Sequence, residues 1–160
     1  MKPSDKETTE SKGVDVTSAL AAALKQLCQR LRDHGLSVKL GAPGDDSDLA
    51  LWPWQLTPGS SPRSAPVGGS APTLSAQTPI ILELRFLLVS NKDSEDAVHA
   101  LTLAQTILAQ SPIMQVSDTP VQIASESLAP DHLAALFTAA GMCLSLSSAY
   151  VARCTVLPHS

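Results

Sequence analysis

The stretch PIILELRFLLVS, residues 79–90, constrains the fold more than any other part of the chain. Apolar side chains alternate through it with the period of two that a β-strand imposes. One face carries Ile80, Leu82, Leu84, Phe86 and Leu88. The other face has Glu83 and Arg85 in its middle. At about 3.3 Å per residue, the pattern predicts a strand roughly 35 Å long.

Helical periodicity appears in three other segments. From Val16 to about His34, leucines recur every three or four residues, and Gly35 supplies a left-handed stop. A second helix begins at Asp93 or Ser94 and ends before Pro112. A short third helix is predicted over residues 129–141, with Gly141 at its end.

The remaining segments contain further strands, of which the last is long, and two regions without periodicity. Further strands are predicted at residues 36–40, 49–56, 112–116, 121–125 and 142–157. The order of elements predicts an α+β fold, in which two main helices pack on one mixed, largely antiparallel sheet. Residues 1–14 read as a disordered tail, and residues 15–158 as a single domain. Within that domain, residues 57–78 are rich in Pro, Gly and Ser and are predicted to be a mobile loop.

Charge and cysteine content exclude several classes of partner and compartment. The net charge is −4, so nothing in the chain attracts a nucleic-acid backbone. No apolar run approaches the ~20 residues that cross a bilayer, and the first residues lack the apolar stretch of a signal peptide. Cys28, Cys143 and Cys154 are sparse and odd in number, which favours buried thiols in a reducing compartment. We expect synthesis and assembly in the cytoplasm.

The titratable residues do not form a catalytic or metal-binding pattern. Asp45, Asp46 and Asp48 lack the spacing of a calcium loop and read as a solvated turn. None of the four histidines is spaced as a metal ligand with another His or Cys. Because no acid, base or nucleophile constellation is present, we expect a protein that is not an enzyme and uses no metal or cofactor.

Both tryptophans lie in LALWPWQL, residues 49–56, on either side of Pro53. Proline cannot donate to a β-ladder, so the strand is expected at an edge, or with the Pro53 nitrogen toward solvent. Trp52 and Trp54 either pack beneath a helix or loop of the same chain, or are covered when a second subunit docks. Glu83 and Arg85 likewise fit a solvated outer face, with a charge pair at an interface as the alternative.

The ordered blocks resemble the tail-cap, or tail-terminator, proteins of extracellular contractile injection systems, the phage-tail-like particles related to the antifeeding prophage and Photorhabdus virulence cassettes. The resemblance covers most of residues 15–158. Its matching stretches are LSVKLGAPGDDSDLALWPWQLTPGS, PIILELRFLLVSNKDSEDAVHALTLAQTILAQSPIM and HLAALFTAAGMCLSLSSAYVARCTV. The family often has an NP and an RN after its second strand, where this chain has TPGSSPRSAP, with Arg63 in the place of that Arg.

The resemblance implies a structural subunit rather than an enzyme. It implies a hexameric ring that closes the distal end of an inner tube and contacts the last sheath ring, with membrane contact only through the assembled particle. The particle is either released or retained in the cell. The candidate interface residues are Trp52, Trp54, Arg63, Glu83, Arg85, Tyr150 and Arg153. The alternatives are a phage or type VI-like tail-completion or baseplate subunit, or a small adaptor that binds a partner by adding a strand at a free sheet edge.

Overall fold

A computed structural model describes residues 16–59, 80–92 and 94–156 of the chain. In this part of the chain, three helices and six strands alternate. They are α1 (Val16–Asp33), β1 (Val38–Leu40), β2 (Leu49–Gly59), β3 (Ile80–Ser90), α2 (Ser94–Gln110), β4 (Ile113–Val116), β5 (Thr119–Glu126), α3 (Pro130–Ala139) and β6 (Ser147–Val156). The strands form one sheet in the order β1-β2-β3-β6-β5-β4. The β1–β2 pair is parallel and every other neighbouring pair is antiparallel, which confirms the α+β prediction.

The long strand β3 lies inside the sheet and pairs with β2 on one side and β6 on the other. Its even-numbered residues face α1 and α2, on what we call the inner face. Leu87 and Val89 point to the opposite, outer face, where they pack with α3. Residues 86–90 are therefore buried on both faces, while Glu83 and Arg85 lie farther along the outer face and remain partly exposed.

The two long helices cover the inner face with aliphatic side chains. Leu27 and Leu31 of α1 and Ala104 of α2 are fully buried in one cluster with Leu49 and Phe86. The α1 helix ends where the sequence predicts. Gly35 has φ 87°, its N–H donates to Arg32 O, and the N–H of Leu36 donates to Leu31 O. This pair of bonds is a Schellman motif, which a left-handed glycine permits.

The last strand begins later than its alternating pattern predicts. Gly141 ends α3 with the same motif, because the Met142 N–H donates to Phe137 O at 2.9 Å. That bond holds the chain against the helix end, and β6 begins only at Ser147, although the Leu146 carbonyl already accepts a hydrogen bond from the Ser90 N–H of β3. The prediction of a strand from residue 142 was wrong for residues 142–146, and Leu144 and Leu146 are exposed instead.

Other boundaries differ by a few residues. The β4–β5 turn needs only Ser117 and Asp118, both with positive φ, as in a two-residue hairpin. Strand β2 continues to Gly59, so the first residues of the predicted 57–78 loop are strand. The rest of that loop and the predicted tail at residues 1–14 lie outside the described residues.

The three cysteines are free, but they occupy different environments. Cys28 and Cys154 are buried in the core, and burial raises the pKa of both thiols. Cys143 is exposed, so the prediction of a buried thiol was wrong at that position. None of the helices described in the structure is long and apolar enough to cross a membrane.

Candidate protein–protein interface

Among the described residues, helix α3 packs on only part of the outer face of the sheet. Helix α3 packs on the end that carries Leu87 and Val89, with Phe137 as its fully buried anchor. Trp52 lies in this cluster, its ring edge-on to Phe137 with centroids 5.8 Å apart. This arrangement is a favourable geometry for two aromatic rings. Trp52 is therefore part of the contact between β2 and α3.

Trp54 lies at an irregularity in β2. Pro53 is opposite Phe86 and Gln55 is opposite Arg85, so Trp54 has no partner in β3 and forms a β-bulge. Its ring meets His132 of α3 edge-on, with centroids 5.2 Å apart. The indole Nε1 is buried and has no hydrogen-bond partner. Both indoles are half-buried and pack beneath a helix of the same chain.

Beyond α3, the outer face carries a network of two carboxylates and two guanidinium groups. Arg153 Nε donates to Glu83 Oε1 at 2.8 Å, and Arg85 Nη2 donates to Glu83 Oε2 at 3.0 Å. Arg85 also donates from Nε to Glu126 and from Nη1 to Thr57, each at 3.0 Å. The network joins β2, β3, β6 and β5 and has no formal net charge.

The network shifts the pKa values of Glu83 and Arg85. The hydrogen bond from Arg153 is the main cause that holds the pKa of Glu83 below its ordinary value, and the positive charges of Arg153 and Arg85 act in the same direction. The bond to Glu126 raises the pKa of Arg85 above its already high value. A carboxylate held ionised between two guanidinium groups is a poor proton donor or acceptor near neutrality, so this cluster is suited to holding a surface in shape rather than to acid–base chemistry.

Among the described residues, no strand pairs with the β1 side of β2 beyond Leu51. Strand β1 pairs only with residues 49–51, where the Gly41 N–H donates to Leu51 O. Because alternate residues of a strand point the same way, Pro53 also turns its nitrogen away from β3. Pro58 pairs in register with Leu82, and it likewise lacks a donor. Strand β2 lies between β1 and β3 and is not an edge strand of the sheet, so of the two expectations for Pro53 the register supports the second, in which its nitrogen points away from the neighbouring strand β3.

An apolar groove of about 310 Å³ runs beside this unpaired part of β2 on the inner face. Its walls are the first turns of α1, the end of β1, and the open halves of β2 and β3. The residues are Leu20, Ala21, Leu24, Leu40, Pro53, Leu56, Leu82 and Leu84. Leu56 is 60% exposed and Leu40 is 38% exposed. Leu56 faces this groove because the bulge at Trp54 shifts the alternation by one residue and pairs it with Leu84.

The structure brings five of the seven predicted interface residues to one face. Trp52, Trp54, Glu83, Arg85 and Arg153 all lie on the outer face. Tyr150 lies on the inner face, 5% exposed and stacked on Phe86 with ring centroids 5.5 Å apart. Burial raises its pKa to about 12. Arg63 lies outside the described residues.

Sequence analysis did not identify the apolar groove. Leu20 and Leu24 belong to the stripe of α1, and Leu82 and Leu84 belong to the apolar face of β3, so periodicity assigns all four to the core. The exposed Leu56 at the end of a strand pattern was the one available signal. Across the described ranges, no group of three or more His, Cys, Asp and Glu side chains is placed to hold a metal ion.

Among solved structures, the chain is similar to the sheath/tube terminator of PVC, an extracellular contractile injection system, determined by cryo-EM in its extended state. The match has a TM-score of 0.59 at 14% sequence identity and covers 88% of this chain. This chain spans 57% of the length of that terminator. No protein-family model matches the chain, and no curated protein matches it in sequence. At this identity the likeness establishes a shared fold, as the sequence resemblance predicted.

Proposed function

We propose that this protein is a terminator subunit of a contractile, phage-tail-like particle. The observation that carries the proposal is the fold shared with the PVC sheath/tube terminator over 88% of the chain. Fold alone does not specify function, so the surfaces must also suit the role. A protein that ends a polymer needs shaped contact surfaces and no reactive centre, and the candidate interface has that character.

In this role the subunits form a ring, six in number, at the distal end of the inner tube. Rings arise when a head-to-tail contact closes by rotation, and such a contact joins two different surfaces of the subunit. The groove containing Leu40 and Leu56 is one apolar surface. Leu144 and Leu146 are exposed at the other end of the sheet, where β6 begins. Two separate apolar surfaces of this kind are what a head-to-tail ring requires.

The charge-balanced network on the outer face suits a contact with the tube or the last sheath ring. Each of its charged side chains already has a partner of opposite charge, so docking would not leave a charge unpaired. The ring works without catalysis, metal or cofactor in this proposal. It is made and assembled in the cytoplasm as part of a particle that is later released or retained.

The adaptor alternative is less favoured by the edge of β2. Strand addition needs a row of backbone donors and acceptors, and the prolines at 53 and 58 each remove one outward donor. A tail-completion or baseplate subunit of another contractile particle would use the same surfaces. The difference from a terminator is the end of the tube at which such a subunit lies.

The proposal is tested with the tube and sheath proteins encoded in the same genome. Size-exclusion chromatography with light scattering should show a ring, alone or after addition of tube protein. Electron microscopy with a tagged subunit should place it at the end of the tube opposite the baseplate, and its deletion should give tubes of uncontrolled length. A monomer that binds neither tube nor sheath protein would refute the proposal, and a tag at the baseplate end would favour the alternative.

A further inference from the structure

A second, more polar cleft lies at the opposite side of the sheet from the groove. Strand β5 stops at Glu126, opposite Ala149, while β6 extends two residues farther to Ser147. The missing strand positions leave a cleft of about 770 Å³ between the end of α2 and the start of α3. Its walls include Leu108, Leu128 and Leu133, and its floor is formed by β6 and the end of β5.

Two polar atoms of this cleft have no hydrogen-bond partner among the residues that the structure describes. They are Glu126 Oε2 and Ser147 Oγ, and each is buried. The other carboxylate oxygen of Glu126 accepts from Arg85 Nε at 3.0 Å, so the side chain is anchored on one side only. A buried acceptor without a donor carries a free-energy cost that a ligand donor would relieve.

Both atoms belong to the same corner of the cleft. Glu126 is directly opposite Ala149, and Ser147 is two residues before Ala149, so all three side chains share the outer face. Diagonal neighbours of this kind have Cα atoms roughly 7–8 Å apart. Among the described residues that line the cleft, Glu126 is the one that carries a charge. The corner therefore combines one carboxylate, whose other oxygen is already bonded to Arg85, and one hydroxyl.

We propose that this cleft binds an arginine side chain presented by another protein. A guanidinium group has five donors in a planar fork and can bond a carboxylate and a hydroxyl at once. The three methylenes that carry it would pack along the leucine walls, while the head reaches the polar corner. The last torsion of a glutamate is soft, so the Glu126 carboxylate can turn Oε2 toward a donor that enters. The site is argued from its own chemistry and does not depend on the terminator role.

The test uses N-acetyl-arginine amide as the probe and the full chain with 15N labels. We expect millimolar binding, seen as shifts of the backbone amides of residues 125–128 and 147–149. N-acetyl-citrulline amide has the same length but is neutral, and should bind about tenfold more weakly because charge-assisted bonds are the stronger ones. Equal binding of the two probes, or no shifts in these segments, would overturn the proposal.

Variants of the cleft residues give a second test, in which the same probe is used and the protein is changed. Glu126→Gln keeps the shape and the acceptor for Arg85 but removes the charge, and should weaken binding by about tenfold. Ser147→Ala tests the second acceptor and should weaken binding by a smaller factor. Glu95→Gln on the exposed start of α2 is the matched control and should bind like the unmodified protein. If Glu126→Gln does not fold, the Ser147→Ala variant and the citrulline comparison still decide, and binding unchanged in all variants would refute the site.

Discussion

Glu83 and Arg153 lie directly opposite each other on β3 and β6, and Arg153 Nε donates to Glu83 Oε1 at 2.8 Å. The Glu83 side chain is 16% exposed and the Arg153 side chain 42%. Arg85 Nη2 donates to the second carboxylate oxygen of Glu83. Glu83 and Arg85, which lie two residues apart in β3, therefore belong to a network that extends to Arg153 of β6. Glu83 accepts a hydrogen bond from each of the two guanidinium groups.

The first prediction concerns acid stability. Because the pKa of Glu83 is lowered in the folded protein, its ionised form stabilises the fold above the unfolded-state pKa, and this contribution is lost as pH falls through the folded-state pKa. Glu83→Gln should lower the free energy of unfolding by about 1 kcal/mol at pH 7. Because the variant lacks this carboxylate, its free energy of unfolding should fall less than that of the unmodified protein below pH 4 to 5. Urea unfolding at several pH values measures both effects. Glu95→Gln is the control, and an unchanged pH dependence in Glu83→Gln would contradict the assignment.

The second prediction concerns the anchor of α3. Phe137 is 1% exposed and touches Trp52, so Phe137→Ala should lower the free energy of unfolding by about 3–5 kcal/mol. Phe137→Leu keeps a large apolar side chain and leaves a smaller cavity, so it should cost less than Phe137→Ala. Urea unfolding followed by tryptophan fluorescence measures both, since both indoles pack against α3. A Phe137→Ala protein as stable as the unmodified one would show that α3 contributes little to the fold.

The third prediction concerns the apolar groove and rests on the proposed ring. Leu56 is 60% exposed, so Leu56→Asp should change the free energy of unfolding by no more than about 0.5 kcal/mol. The same change places a charge in an apolar contact and should prevent ring formation. Val98→Asp, at a 55% exposed site on α2, is the matched control. Light scattering beside thermal melting separates the outcomes, and a ring that persists in Leu56→Asp would exclude the groove from the contact.

The fourth prediction uses the single tyrosine of the chain. Burial raises the pKa of Tyr150 to about 12, from about 10 for an exposed tyrosine. Because the folded protein holds this proton more tightly, the associated stability is complete below pH 10 and is lost as pH rises toward 12. Absorbance at the wavelength of tyrosinate should therefore titrate well above pH 10 while the chain is folded. A midpoint near 10 in the folded protein would show that the phenol reaches water.

Strong periodicity was sufficient for most elements of this fold. The alternation in residues 80–90 specified β3 and its inner face, and the leucine spacing with Gly35 specified α1 and its end. Periodicity predicted the wrong structure where the signal that ends α3 overlapped an alternating strand pattern. Residues 142–146 alternate like a strand, but the hydrogen bond that ends α3 takes the Met142 N–H first. Local capping has a fixed geometry, whereas an alternating pattern still needs a partner strand.

The candidate interface was predictable in its residue types but not in its arrangement. Trp52, Trp54, Glu83 and Arg85 follow from the strand patterns of the sequence. Arg153 and Glu126 lie near these residues only because of the strand order, which places β6 beside β3 and β5 beside β6. The groove was missed because an apolar stripe does not reveal which of its residues another layer leaves uncovered.

The sequence by itself determined the α+β class, the helix ends and the faces of the long strand, because these follow from nearest-neighbour sterics and the periods of 2 and 3.6 residues. Only the tertiary structure decided that Tyr150 is buried, that α3 packs on the end of the outer face that carries Leu87 and Val89, and that the bulge at Trp54 turns Leu56 into the groove. These outcomes depend on strand register and on which layers meet, and both are set by contacts between residues far apart in the chain.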